Sequence, residues 1–130
     1  MEKENEKFYG IKEAIKDSKK ELASGSVDSR VRAIDTLIGV YSFLKDSINY
    51  SKGIIESSVM LNSTDLISDN TLSEIESSVN SLIGNFDELL TEVNSIAALY
   101  KIDLEALIAE KAAREEEEKR KAEEAQAQHC

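Results

Sequence analysis

Residues 71–100 have the sequence TLSEIESSVNSLIGNFDELLTEVNSIAALY, and this stretch decides the fold. Its apolar residues alternate at spacings of three and four, the pattern of a helix that buries one ridge against another helix. Thr71 and Glu74 have the spacing of a capping box, so the helix is predicted to begin there. The ridge supplies one half of a predicted seam: Leu72, Ile75, Val79, Leu82, Phe86, Leu89, Val93, Ile96 and Tyr100.

A second long helix is predicted before it, from Val27 to about Leu61. One apolar line on this helix continues the same spacing, with Lys45 and Lys52 interrupting it, and supplies the other half of the seam: Ile34, Ile38, Tyr41, Ile48 and Ile55. Another apolar line lies on nearly the opposite face, and a helix that is apolar on two faces needs two partners. That line is the predicted interaction surface: Val40, Phe43, Tyr50 and Ile54.

The polar segment 62–70 separates two helices of similar length, so we expect them to fold back on each other as an antiparallel hairpin. With the turn there, Lys45 on the first of these helices is level with Asp87 and Glu88 on the other. We expect an ion pair between them. It would set the register more than it would add stability, because a partly buried ion pair roughly offsets its own desolvation.

The two ends of the chain differ from this hairpin. A short helix is predicted from Glu4 to Ala23, and the Ser-Gly-Ser sequence at 24–26 is typical of a helix-to-helix turn. Its single apolar stripe consists of Phe8, Ile11, Ile15 and Leu22. Residues 109–128 contain only Ala, Glu, Lys, Arg and Gln, which cannot form a core. The predicted domains are therefore a bundle at 1–108 and a charged helical or disordered tail at 109–130.

The predicted fold is all-α: a long antiparallel helical hairpin with a short N-terminal helix and a charged C-terminal helical tail. The 41% apolar content and the absence of Pro favour long helices over sheets. One narrow stripe on the first helix cannot cover both faces left on the second. We therefore expect a coiled-coil-like bundle that self-association completes, and hence a homo-oligomer.

Charge limits the class of partner. The chain carries a net charge of −10, and residues 53–100 contain eight acidic residues and no Lys or Arg. Direct nucleic-acid binding needs cations against phosphates, so a protein partner is expected instead. The charged N-terminus leads into no long apolar run, so neither a signal peptide nor a membrane span is predicted. We therefore expect a cytoplasmic location.

Few side chains suit catalysis. The chain has one His and one Cys, the adjacent His129 and Cys130, and two ligands alone do not make a closed metal site. No glycine-rich phosphate loop is present, and no serine has a base nearby in the sequence. No catalytic, cofactor-binding or metal-binding residue is predicted.

Residues 87–90 (DELL) and 102–111 (IDLEALIAEK) resemble the last helices of the all-α nucleotide pyrophosphohydrolases of the MazG-like kind. The resemblance covers about 25 residues and implies a Mg²⁺ site built from an E-x-x-E pair and an E-x-x-D pair on neighbouring helices, donors that suit a hard cation. The sequence departs from that pattern, since Glu56 has no acid three or four residues away and Asn85 stands three residues before Glu88.

The favoured function is a non-enzymatic interaction or assembly protein, such as a small structural, scaffolding or accessory factor of a phage or bacterium, acting through helical-bundle oligomerisation. The alternative is an acidic decoy that inhibits a nucleic-acid-binding protein by imitating phosphates with ordered carboxylates. Its candidate residues are Glu74, Asp87, Glu88 and Glu92. A degenerate MazG-like pyrophosphohydrolase ranks below both.

Overall fold

The computed structural model describes residues 2–128, with side chains described from residue 9 onward. This part of the chain forms four α-helices and no strand, so the all-α prediction is confirmed. The helices are α1 (Glu2–Ala23), α2 (Val27–Ser63), α3 (Asp69–Leu99) and α4 (Leu104–Gln128). The side chain of Phe8 and the residues His129 and Cys130 lie outside the described part.

The links between helices reverse the chain with backbone in the left-handed region. Gly25 has φ of 79° after α1, where a residue without Cβ fits at no steric cost. Asp65 and Lys101, with φ of 62° and 56°, take the same position after α2 and α3. The next amides then bond back across the turn, Leu66 N to Leu61 O at 2.9 Å and Ile102 N to Ala97 O at 2.8 Å. Each of these two helices thus ends in a Schellman motif.

Helix α3 begins three residues earlier than the capping-box prediction. Ser68 is the N-cap, and its side chain accepts a hydrogen bond from the Thr71 amide at 3.1 Å. Thr71 therefore lies inside the first turn instead of capping it. The link is also closed by Asn62, whose Nδ2 donates to Asp69 Oδ1 at 2.9 Å and to Ile67 O at 3.2 Å.

Helix α2 is the centre of the molecule, with α1 and α3 packed along it and the first turns of α4 against it. Contacts between α2 and α3 extend from Asn62 and Asp69 beside the link to the rings of Phe43 and Phe86 farther away. The buried apolar residues of the described chain lie between Ala33 and Ile48 on α2 and between Phe86 and Ala97 on α3. The others lie in the second half of α1 and at the first residue of α4. The full set is Ile15, Leu22, Ala33, Leu37, Ile38, Tyr41, Leu44, Ile48, Phe86, Leu89, Val93, Ile96, Ala97 and Leu104.

The core therefore stops part of the way along the pair of long helices. It ends at Ile48 on α2 and at Phe86 on α3, and we call the remaining length, residues 49–85, the arm. Within the arm, the buried side chains are those of Ser51 and Ser58, which are 4% and 6% exposed. The arm is thus a pair of helices with little apolar core of its own.

Candidate interaction surfaces

The inner line of α2 differs from the predicted seam. Leu44 is fully buried and Ser51 and Ser58 are nearly so, whereas Lys45 and Lys52 are exposed. The buried line therefore runs through Leu44 and Ser51, each one residue before a lysine, and continues to Ser58. A serine can replace an apolar residue there because it is small and its hydroxyl group bonds to the backbone of its own helix. Ser58 Oγ donates to Ile54 O, one turn earlier, at 2.8 Å.

All the predicted seam residues are buried or half-buried, although the buried line on α2 has a different centre from the predicted one. Seven of them are buried: Ile38, Tyr41, Ile48, Phe86, Leu89, Val93 and Ile96. The other seven are half-buried: Ile34, Ile55, Leu72, Ile75, Val79, Leu82 and Tyr100.

Lys45 has a different counter-charge from the one predicted. Its Nζ lies 2.6 Å from Oε1 of Glu105, on the first turn of α4, while Asp87 and Glu88 are exposed on α3. The prediction was wrong because it placed Lys45 on the seam facing α3. Since Leu44 holds the seam position, Lys45 lies one residue round the helix, on the side of α2 against which α4 begins.

Glu105 is the centre of a three-residue cluster. Its Oε1 also accepts a hydrogen bond from Tyr41 Oη at 2.5 Å, and the Lys45 ammonium lies 5.4 Å from the centroid of the Tyr41 ring. The hydrogen bond from Lys45, followed by that from Tyr41, lowers the pKa of Glu105 from its ordinary 4.5. The hydrogen bonds to Glu105 raise the pKa values of Tyr41 and Lys45.

Sequence reasoning missed Glu105, although a signal for it was present. Asp103 Oδ1 accepts from the Ala106 amide at 3.1 Å and so caps α4. A helix that starts at this cap has Leu104 as its first apolar residue, and Leu104 is 4% exposed. Burial of Leu104 against the core brings the adjacent Glu105 to α2.

The predicted interaction surface is only partly free. Val40 is half-buried and packs beside Gly10, Ile11 and Ala14 of α1. By contrast, the exposed fractions are 46% for Phe43, 74% for Tyr50 and 37% for Ile54.

The sequence predicted that this surface lies on the face of α2 nearly opposite the seam. The structure instead places its exposed part beside α3. The Phe43 ring meets the Phe86 ring edge to face, with centroids 6.5 Å apart and planes at 85°. Leu82 and Phe86 of α3 form one wall of an open groove of about 400 Å³, and Phe43, Tyr50 and Ile54 form the other. The surface is thus a groove between two helices.

This surface continues along the arm at helical spacing. Leu61, 42% exposed, follows Ile54 by seven residues, just as Tyr50 follows Phe43. These four residues lie within about 40° of one another around α2 at 3.6 residues per turn. We call Phe43, Tyr50, Ile54 and Leu61 the arm stripe.

The tail has no core contact. Every residue from 109 to 128 is exposed, and the ion pair recorded there joins Lys121 to Glu117 at 3.7 Å. The structure thus extends α4 as a helix well beyond Leu107 and Ile108, its last half-buried apolar residues.

Among the described residues, no group of three or more His, Cys, Asp or Glu side chains is placed to hold a metal ion. None of the described helices is both long enough and apolar enough to span a bilayer. Comparison of the chain with protein-family models, with curated proteins and with solved structures finds no significant match, so the resemblance to MazG-like enzymes gains no support from them.

Proposed function

We propose that this chain is a non-enzymatic assembly protein in which α2 and α3 form an antiparallel coiled-coil hairpin and copies associate into a helical bundle. The proposal rests on one observation: the four residues of the arm stripe are between 37% and 74% exposed along one side of the arm and of the adjoining turns of α2. Apolar residues at regular helical spacing on an open groove are the usual anchors for another helix.

The arm gives the association a physical reason. Its inner line contains Ser51 and Ser58 where a self-sufficient pair would carry large apolar residues. Two helices with little apolar core are marginal in water, because most helix stability in proteins comes from packing an apolar face. Packing a further helix onto the groove would bury the stripe and supply the missing core.

Light scattering tests the proposal on the full chain over about a hundredfold range of concentration. We expect a mass above that of the 14.4 kDa monomer at the upper end of the range. A chain ending at Ile108 is the companion sample, and it should associate equally because residues 109–128 are exposed throughout. A full chain that stays monomeric at every concentration would contradict the proposal.

An acidic decoy is the second candidate. Glu74, Asp87, Glu88 and Glu92 are all exposed on α3, and no Lys or Arg lies between residues 53 and 100 to neutralise them. A decoy needs no self-association and would bind a basic DNA-binding protein with an affinity that falls steeply with salt. A salt-dependent complex between the chain and such a protein would therefore favour the decoy.

A further inference from the structure

We infer that the occupant of the groove is the arm of a second copy, packed antiparallel about a two-fold axis. In this pairing Tyr50 lies against Ile54 of the second copy, and Phe43 lies against its Leu61. The inference rests on the proposed assembly function and deepens it by naming the surface, the partner and the direction of the partner.

The spacing of the arm stripe supports a second copy. Successive members are seven, four and seven residues apart, so the order of spacings is the same in both directions along α2. A two-fold axis that crosses the helix between Tyr50 and Ile54 therefore places every member opposite another member. A self-complementary patch is what a two-fold interface requires, because each residue on one copy must meet its counterpart on the other.

Charge is also compatible with self-pairing. Asp46 is the charged residue of the groove lining, which otherwise contains Ser47, Ser51 and the apolar residues. Glu56 follows Ile54 by two residues, which places it about 200° away round α2 at 3.6 residues per turn. Glu56 therefore lies away from the contact, and Asp46 would lie 12 residues along the axis from its symmetry mate, about 18 Å.

The size of the face fits a weak dimer. Phe43 and Leu61 are 18 residues apart, a length of about 27 Å at 1.5 Å per residue. Two helices side by side are about 20 Å wide, so the face covers roughly 500 Å² per copy. The pair would bury about 1,000 Å² in total, close to the lower limit for a specific interface. We therefore expect a dimer that dissociates on dilution.

Two matched variants test the surface. Tyr50→Glu places a charge at the centre of the stripe, and Val27→Glu places one at an equally open site, 75% against 74% exposed, at the far end of α2. We expect Tyr50→Glu to weaken dimerisation at least about tenfold and Val27→Glu to leave it unchanged, both with wild-type helicity by circular dichroism. If Tyr50→Glu dimerises like the wild type, the stripe is not the interface although the assembly function stands. A wild-type monomer would overturn both.

Cross-linking tests the direction in a Cys130→Ser background, since Cys130 is the only cysteine of the chain. In the antiparallel dimer, Ile54 lies four residues along the axis from its symmetry mate, about 6 Å, and Leu61 lies 18 residues from its own, about 27 Å. A short bismaleimide should therefore link Ile54→Cys copies and fail to link Leu61→Cys copies. Efficient linking of both variants, as in a parallel pair, or of neither would overturn the inference.

Discussion

The ammonium of Lys45 and the carboxylate of Glu105 lie 2.6 Å apart and join α2 to the first turn of α4. Tyr41 donates to the same carboxylate oxygen, so one acidic side chain connects two residues a turn apart on α2. Beyond this cluster, α4 is held by the buried Leu104 and by the half-buried Leu107 and Ile108. The direction of the exposed tail thus depends on about one and a half turns of helix.

Removing the carboxylate should loosen this attachment without unfolding the protein. In Glu105→Ala, both donors on α2 lose their acceptor, and we expect faster amide hydrogen exchange in residues 106–108, the first amides of α4 with hydrogen-bond acceptors. The melting temperature should change by less than about 3 °C, because an exposed ion pair contributes little to global stability. Glu110→Ala, at an exposed position one and a half turns later in α4, is the control and should leave the exchange unchanged. Equal exchange in both variants would contradict a role for the cluster.

The attachment should also depend on pH at both extremes. The lowered pKa of Glu105 means that its stabilising contribution is present above its ordinary 4.5 and is lost as the pH falls through the folded-state pKa. The raised pKa values of Tyr41 and Lys45 mean that their contributions are present below their ordinary 10.0 and 10.5 and are lost as the pH rises through the folded-state values.

The methyl signals of Leu104 report this locally by NMR, with those of the fully buried Val93 as the control. We expect the Leu104 signals to move at acid pH before those of Val93, and Glu105→Gln to remove that early change. Parallel titration of both residues in the wild type and the variant would show that the core, and not the cluster, responds to acid.

The sequence was informative where burial and apolar character coincide. On α3 the ridge residues are large and apolar, and the line from Phe86 to Ile96 is buried. On α2 the buried line includes Ser51 and Ser58. A pattern based on apolar residues alone omits these serines, and it therefore assigned two seam positions to the exposed Lys45 and Lys52. The wrong ion-pair partner was predicted for Lys45 because that assignment placed Lys45 facing α3.

Turn chemistry explains the other differences. Gly25 was recognisable as a helix end because glycine adopts positive φ at no cost. Asp65 and Lys101 take the same conformation without being glycine, so the ends of α2 and α3 had no equally clear signal. At the start of α3, Ser68 and Thr71 both carry hydroxyl groups that can cap, and composition alone does not choose between them.

The corrected position of the α2 line predicts unequal effects of two alanine substitutions. Leu44 is fully buried, so Leu44→Ala should reduce the free energy of unfolding by about 2–5 kcal/mol. Lys52 is exposed, so Lys52→Ala should change it by less than about 0.5 kcal/mol. Urea unfolding at a fixed protein concentration measures both. Similar decreases in the free energy of unfolding would contradict the buried line through Leu44 and favour the predicted seam through the lysines.

The N-cap of α3 gives a second such pair. Ser68→Ala removes the acceptor of the Thr71 amide and should cost about 1 kcal/mol of the free energy of unfolding. Thr71→Ala removes only a hydroxyl contact to Ser68, at 3.0 Å, and adds a better helix former, so its cost should be below about 0.5 kcal/mol. The reverse order in urea unfolding would place the cap at Thr71 after all.

The buried serines of the arm make the last prediction. Ser58 is 6% exposed and bonds its own helix, so Ser58→Ala should be neutral or slightly stabilising, within about 0.5 kcal/mol, because alanine is the better helix former and leaves no buried hydroxyl behind. Ser58→Leu adds three carbon atoms in place of the hydroxyl between α2 and α3, and overpacking of that kind costs about 1–3 kcal/mol. Ser57→Leu, at the exposed neighbouring position, controls for the leucine itself and should stay within about 0.5 kcal/mol. If Ser58→Leu instead raises the urea midpoint, the two helices of the arm have room between them, and a larger apolar residue there replaces the core that we attribute to a second copy.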